Sequence, residues 1–199
     1  MKILEAVAKK EGRVEIPDCS RVDLPEFFEE MGFEIGVEIG VQRASFLIDF
    51  CKKGFKMFGV DPWLGYKDYK DENNQVHQDK VYTAAKKVVA KFPSCTLIRK
   101  KSMDAVNDFE DDSLDFVYID GHHGFKFVTE DIFEWSKKVR KGGVICGHDY
   151  DYIKPHIQVR YVVDAYTQAF GIENWWVLGS NKRVKGEKRD TYRSWMWFK

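Results

Sequence analysis

Lysine and arginine, 32 in all, are matched by 32 aspartates and glutamates over 199 residues, so no global field draws this chain to nucleic acid or an anionic membrane. It holds no apolar run near the roughly 20 residues that cross a bilayer, and its opening Met1-Lys2-Ile3-Leu4-Glu5 leads into no signal-peptide core. Its four cysteines, Cys19, Cys51, Cys95 and Cys146, show no CxxC spacing, so reduced thiols are expected rather than disulfides or zinc ligands. There is no internal repeat, no low-complexity tract and no Gly-x-Gly-x-x-Gly. A soluble, cytoplasmic protein is expected, long enough to bury one core. Neither a nucleic acid nor a membrane is expected as partner; a homo-oligomer is allowed.

What the chain does contain is an alternation of apolar strands and helical segments. Strands are expected near 34–39, 55–60, 95–98, 115–119 and 144–146, with helices near 45–53, 78–92, 125–139 and 157–170 between and after them. Gly54, Pro93 and Lys141-Gly142-Gly143 punctuate the series. Five strands separated by helices imply α/β architecture with a parallel, doubly wound sheet. The segments 175–178 and 192–198 read as a terminal antiparallel pair, their tryptophans as core and edge packing or a substrate wall. Residues 1–22, polar and including Pro17, read as an N-terminal extension of short helix and loop before a domain at 23–199. Asp23-Leu24-Pro25-Glu26 has capping-box spacing for a helix that stops at Gly32. Residues 61–77 read as a long loop, of the kind that covers or binds ligands.

In an open parallel sheet, ligands bind beyond the carboxyl ends of the strands. The first such end is Ile35-Gly36-Val37-Glu38-Ile39-Gly40-Val41-Gln42-Arg43-Ala44-Ser45. A carboxylate beside this glycine turn would repel a pyrophosphate, whereas a cofactor with positive charge and no phosphate, such as S-adenosylmethionine, would want it. The alternative is a solvent-facing strand acid, which is unusual on strands covered on both faces. Ser45 caps the next helix or offers its hydroxyl to a ligand carboxylate. Asp61, in Gly59-Val60-Asp61-Pro62-Trp63, lies 21 residues past Gly40, where an acid can accept hydrogen bonds from ribose hydroxyls or simply start an Asp-Pro turn. Trp63 faces an adenine or packs under the loop. Ser102, Met103 and Asp104 stand where an adenine would sit, or Ser102 and Asp104 cap the short helix that follows.

The fourth and fifth strand ends read Asp120-Gly121-His122-His123 and Gly147-His148-Asp149-Tyr150. Carboxylates and imidazole converging there could bind a divalent ion while another imidazole serves as general base, or some could only brace the loops, the reading that suits His122. The basic loop with Lys182, Arg183, Lys185, Lys188 and Arg189 touches an acidic partner or forms a solvated hairpin tip.

Gly36-Val37-Glu38-Ile39-Gly40-Val41, Gly59-Val60-Asp61-Pro62-Trp63, Asp115-Phe116-Val117-Tyr118-Ile119-Asp120-Gly121-His122-His123 and Lys141-Gly142-Gly143-Val144-Ile145-Cys146-Gly147-His148-Asp149-Tyr150 together resemble the class I S-adenosylmethionine-dependent methyltransferases. Within that class the chain is similar to a small bacterial subgroup resembling the macrocin-type sugar O-methyltransferases, over about residues 22–178. The resemblance implies a Rossmann-like, mostly parallel seven-stranded sheet of order 3-2-1-4-5-7-6 with helices on both faces. It implies S-adenosylmethionine contacts at Glu38, Gly40, Asp61, Ser102 and Met103; Ser45, Trp63 and Asp120 join them as candidates. It also implies His123 as base, with Asp120 and Asp149 orienting or ligating, and a metal set of Asp120, His148 and Asp149. His148 stands where that family has an acid, which argues against magnesium. Ala44 stands where its loop often has glycine. The expected reaction is O-methylation of a small hydroxylated acceptor such as a sugar or natural-product intermediate. Rival readings keep the fold with a hydroxylase-like or non-catalytic binding role, or invoke a nicotinamide oxidoreductase or a nucleic-acid methyltransferase.

Overall fold

The computed structural model describes residues 2–9, 12–65, 74–152, 154–180, 185 and 191–199. Eight strands form one sheet: β1 (Arg13–Ile16), β2 (Ile35–Ile39), β3 (Lys56–Val60), β4 (Cys95–Ile98), β5 (Leu114–Ile119), β6 (Val139–Gly147), β7 (Trp175–Leu178) and β8 (Ser194–Phe198). Their order is β1-β7-β8-β6-β5-β2-β3-β4. Without β1 this is the seven-strand order expected from the resemblance, read from the opposite edge. Only β8 runs antiparallel to its neighbours, β6 and β7.

β1 corrects the seven-strand expectation. The segment read as helix and loop supplies an outer strand, paired in parallel with β7 from Arg13↔Trp175 to Ile16↔Leu178. Four residues are too few to display a convincing alternation against the polar background of residues 1–22. A second correction concerns Lys141-Gly142-Gly143, expected as a turn. It lies inside β6, where the pairing with β5 shifts between Leu114 and Phe116. Gly142 there takes φ +79°, a conformation glycine adopts without strain. The capping box is also one turn earlier than expected. Asp23 accepts from the Ser20 amide at 2.8 Å and makes no side-chain cap for α2 (Leu24–Glu30).

The helices cover both faces. α1 (Lys2–Lys9), α2, α3 (Leu47–Lys52) and α4 (Gln75–Val89) contribute Ile3, Phe27, Phe28, Leu47, Phe50, Val81 and Ala85 to one core, together with Phe116 and Tyr118 of β5. α6 (Phe125–Lys138) and α7 (Val159–Ala169), with the single turn α5 (Ser102–Ala105), cover the other face over Val117 and Ile119. Alternate residues of β5 thus serve opposite cores, as the pleat requires, and all six are buried. Trp175, Trp176, Trp195 and Trp197 are all buried, in agreement with the packing reading. Among the described residues no helix is long and apolar enough to cross a membrane.

Cys51 of α3 and Cys95 of β4 are joined by a disulfide, while Cys19 and Cys146 are buried outside it. This departs from the expectation of four reduced thiols. A separation of 44 residues carries no local motif, and only the folding of α3 onto the sheet makes the two neighbours. Of the basic loop, Lys182, Arg183, Lys188 and Arg189 lie outside the described residues, and Lys185 is exposed. The loop expected at 61–77 is described at 61–65 and from 74 onward, with α4 starting at Gln75.

Phe116 occupies the centre of the first core, with ring centroids 4.5 Å from Phe28 and 4.9 Å from Phe50. Its ring lies directly over Gly36, where a Cβ would overlap it. Gly36→Ala should therefore destabilise the protein by about 1–3 kcal/mol, the usual cost of overpacking a core, as read from the midpoint of urea unfolding. An unchanged midpoint would show that the aromatic cluster yields freely.

Candidate functional site

The carboxyl ends of β2, β3, β4, β5 and β6 border one cavity of about 880 Å³. It is lined by Glu38, Gly40, Ser45, Asp61, Ser102, Met103, Asp120, His122, His123, His148 and Asp149. Of the expected site residues, Trp63 and Asp104 do not line it. That indole is 1% exposed, packs 4.6 Å from the Tyr82 ring and donates through Nε1 to the Gln42 carbonyl at 3.0 Å. It packs under the loop and braces it.

Asp61 organises the glycine turn. Its Oδ2 accepts from the amides of Val41 at 3.0 Å and Gln42 at 2.9 Å, and its Oδ1 from the amide of Trp63 at 2.7 Å. Burial raises its pKa, and the three amides pull it back. Gln42 and Ala44 within the turn, Trp63 and Asp149 all hold positive φ, at +46°, +63°, +45° and +59°. Ala44 thus adopts the left-handed conformation that a glycine would take easily. Such residues concentrate where the surrounding structure over-determines the backbone.

Glu38 is 3% exposed, and its Oε2 has no hydrogen-bond partner among the described residues. Burial, reinforced by the charge of Asp120, raises its pKa well above the ordinary carboxyl value. A buried carboxyl with an unsatisfied oxygen is costly unless a cation joins it. Arg21, from the 3-10 turn at Arg21–Asp23, also lines this end and lies 3.3 Å from Asp120 Oδ2. The sequence offered no sign of Arg21, which stands in a segment without periodicity.

The β5 and β6 ends bring His123 Nε2 to 2.8 Å from Asp149 Oδ2 and 3.8 Å from Asp120 Oδ1. Burial alone would lower the His123 pKa, but the two carboxylates raise it to about 10. Burial would raise that of Asp149, yet His123 and His148 hold it well below the carboxylate range. The two carboxylates thus favour the imidazolium form of His123, in which both ring nitrogens donate and neither can accept a proton. Donor atoms of Asp120, His123 and Asp149 lie within 4.8 Å of one another and could hold a metal ion. This set shares Asp120 and Asp149 with the expected Asp120, His148 and Asp149 and adds His123. His148 Nδ1 stands 3.4 Å from Asp149 and 3.9 Å from Asp120. Two carboxylates with imidazole suit a divalent transition ion better than magnesium.

His122 accepts from the Gly124 amide at 3.1 Å and packs 4.1 Å from the Phe127 ring, which is the bracing role expected. Neither Ser102 nor Asp104 caps α5. Asp104 is exposed, whereas the Ser102 hydroxyl bonds Asp131, a buried acid on α6 that sequence reasoning missed. Its signal was an acid on the helical face of Val128, Ile132 and Trp135.

Residues 33–150 match a family described as a methyltransferase domain. An uncharacterized protein of Sinorhizobium fredii is 28% identical over 122 residues, a stretch covering 57% of this chain and 13% of that protein. The chain thus matches well under two thirds of that relative's length. An O-methyltransferase from Bacillus cereus, solved in complex with SAH, superposes with a TM-score of 0.59 at 17% identity, covering 98% of this chain and 87% of that one. A putative caffeoyl-CoA O-methyltransferase from Staphylococcus aureus gives 0.60 at 12% identity, covering 99% and 90%. At these identities the likeness concerns the fold.

Asp61→Ala would leave three loop amides without their acceptor. It should cost about 2–4 kcal/mol, lowering the thermal midpoint by roughly 4–16 °C for a chain of this size, measured by circular dichroism. A shift below a degree would mean that the turn holds its shape without the carboxylate.

Proposed function

The chain belongs to the methyltransferase domain family, and from that premise we propose that it is an S-adenosylmethionine-dependent O-methyltransferase acting on a small hydroxylated acceptor. The observation that carries this reading is Glu38 Oε2, buried without a partner beside the Gly40 turn. The site disfavours a pyrophosphate and fits a ligand that brings positive charge. When bound, the cofactor supplies a methyl group on an electrophilic sulfonium.

Around that position each residue has a defined task. Glu38 ionises as the cationic end approaches, and Ser45 with the adjoining turn offers donors to the carboxylate. Asp61 keeps unused lone pairs for ribose hydroxyls after holding its three amides. Met103 and Ser102 border the base. Asp120, His123 and Asp149 face the acceptor hydroxyl, and we assign them its proton as a coupled group rather than His123 alone. A divalent ion held by these three side chains would lower the pKa of the acceptor hydroxyl. Alignment of the two substrates carries most of the rate, an effect worth roughly 7–11 kcal/mol when complete. A sugar or natural-product intermediate, as expected from the macrocin-type likeness, suits a cavity lined by Asp120, His123, His148 and Asp149.

Calorimetry should show S-adenosylhomocysteine binding to the protein and no NAD binding. Glu38→Gln keeps the shape and removes the charge, so affinity should fall roughly 10- to 100-fold. Equal affinity in that variant would refute the role of Glu38. Transfer of a labelled methyl group to hydroxylated metabolites should identify the acceptor; label appearing only on nitrogen acceptors would overturn the O-methyl assignment. Manganous ion, titrated by the loss of its free paramagnetic signal, should bind the wild type and bind Asp149→Ala at least about tenfold more weakly, in line with loss of a ligand to the ion.

A further inference from the structure

Asp131 on α6 is 5% exposed and borders the same cavity. Its Oδ1 accepts the Ser102 hydroxyl, whose oxygen in turn accepts Trp135 Nε1 at 2.7 Å. An indole N–H only donates, so the serine proton is committed to Asp131 Oδ1. Asp131 Oδ2 has no hydrogen bond among the described residues and stands beside Gly121, 3.7 Å from where a Cβ would project. Gly121, like Asp131, lines the cavity.

The strand ends give this oxygen a specific place. β2, β3 and β4 are successive neighbours in the sheet, and they present Glu38, Asp61 and Ser102 in that order. A ligand with its cationic end at Glu38 and its ribose at Asp61 brings its base to Ser102 and Asp131. We propose that Asp131 reads the purine, its free oxygen accepting a hydrogen bond from the exocyclic amino group of adenine, so that the site selects a 6-amino over a 6-oxo purine. The inference rests on the S-adenosylmethionine reading and names a specificity residue within it.

The carboxyl can change its role within the ordinary pH range. Burial raises its pKa to about 7; the Ser102 hydroxyl opposes the rise and the charge of Glu130 on the same helix adds to it. The other charged or titratable groups lining the cavity, among the described residues, are Arg21, Glu38, Arg43, Asp61, Lys101, Asp120, His122, His123, Lys126, His148, Asp149 and Tyr152. Ionised, Asp131 presents an acceptor that suits the amine and repels a 6-oxo oxygen. Protonated, it presents an O–H that suits the oxo group instead. Selectivity for the amine is therefore present above pH 7 and declines below it.

The test is calorimetric titration of the full chain with S-adenosylhomocysteine and with its 6-oxo analogue S-inosylhomocysteine, on both sides of pH 7. The wild type should prefer the amino ligand at least about tenfold above that pH, the worth of one hydrogen bond to a charged group, with the preference shrinking below it. In Asp131→Asn, whose amide can donate or accept, the pH dependence of the preference should vanish. In Asp131→Leu the preference itself should vanish, with circular dichroism confirming that each variant is folded. Wild-type binding of S-adenosylhomocysteine with the same preference and pH profile in Asp131→Asn overturns this proposal alone. A folded wild type that binds neither ligand removes the cofactor reading, and this proposal with it.

Discussion

The carboxyl ends of β2 and β5 come so close that position 40 has no room for a side chain. A Cβ on Gly40 would overlap the carbonyl of Asp120, and the residue sits at φ +86°. The strands end level with one another because ladder bonds continue past them: Gly40 donates to Val60, Asp120 to Ile39 and His148 to Ile119, at 2.8, 2.8 and 3.0 Å. From that closure follow the shared cavity, the short reach between Asp120 and Asp149, and the burial of Glu38 just beneath the turn.

The acids gathered there are accommodated in different ways. Asp61 is held by three amides, Asp149 by two imidazoles and Asp131 by a serine hydroxyl. Glu38 Oε2 has no comparable partner. Asp61, Asp149 and Asp131 thus have partners within the chain, whereas Glu38 Oε2 has none among the described residues. A carboxylate performs structural work at Asp61, while the one at Glu38 is buried with an oxygen unpartnered among the described residues, the place where our proposal puts a cation. Sequence position alone does not separate these roles, because the difference lies in which backbone amides the fold brings to each carboxylate.

Much of the fold was legible in the chain because its boundaries are punctuated locally. Gly54, Pro93 and the apolar runs around Val37, Phe58 and Val117 mark strands and turns within a few residues. The site loops were legible for the same reason, since acids and imidazoles after apolar strands stand out. What escaped depended on contacts distant in sequence. β1 becomes a strand only against β7, Cys51 meets Cys95 only across the packed sheet, and Arg21 reaches Asp120 from 99 residues away. Asp131 lay hidden in a helix whose polar and apolar positions otherwise look ordinary. The central position of His123 between two carboxylates follows from the tight turn at Asp149, a backbone conformation that its residue type permits but does not announce.

β1 also has a consequence for how the molecule meets its own copies. Without it, the outer strand of the sheet on that side would be β7, whose four residues Trp175-Trp176-Val177-Leu178 are all buried in the folded chain. A bare edge of two tryptophans and two aliphatics is a template for strand addition and for aggregation. β1 puts in its place a four-residue edge bearing Arg13 and Glu15, with Arg193 pairing to Glu15 at 2.8 Å. A short, charged border of this kind is poorly suited to accept another strand, so this segment acts as a guard against edge-to-edge association as well as a part of the sheet.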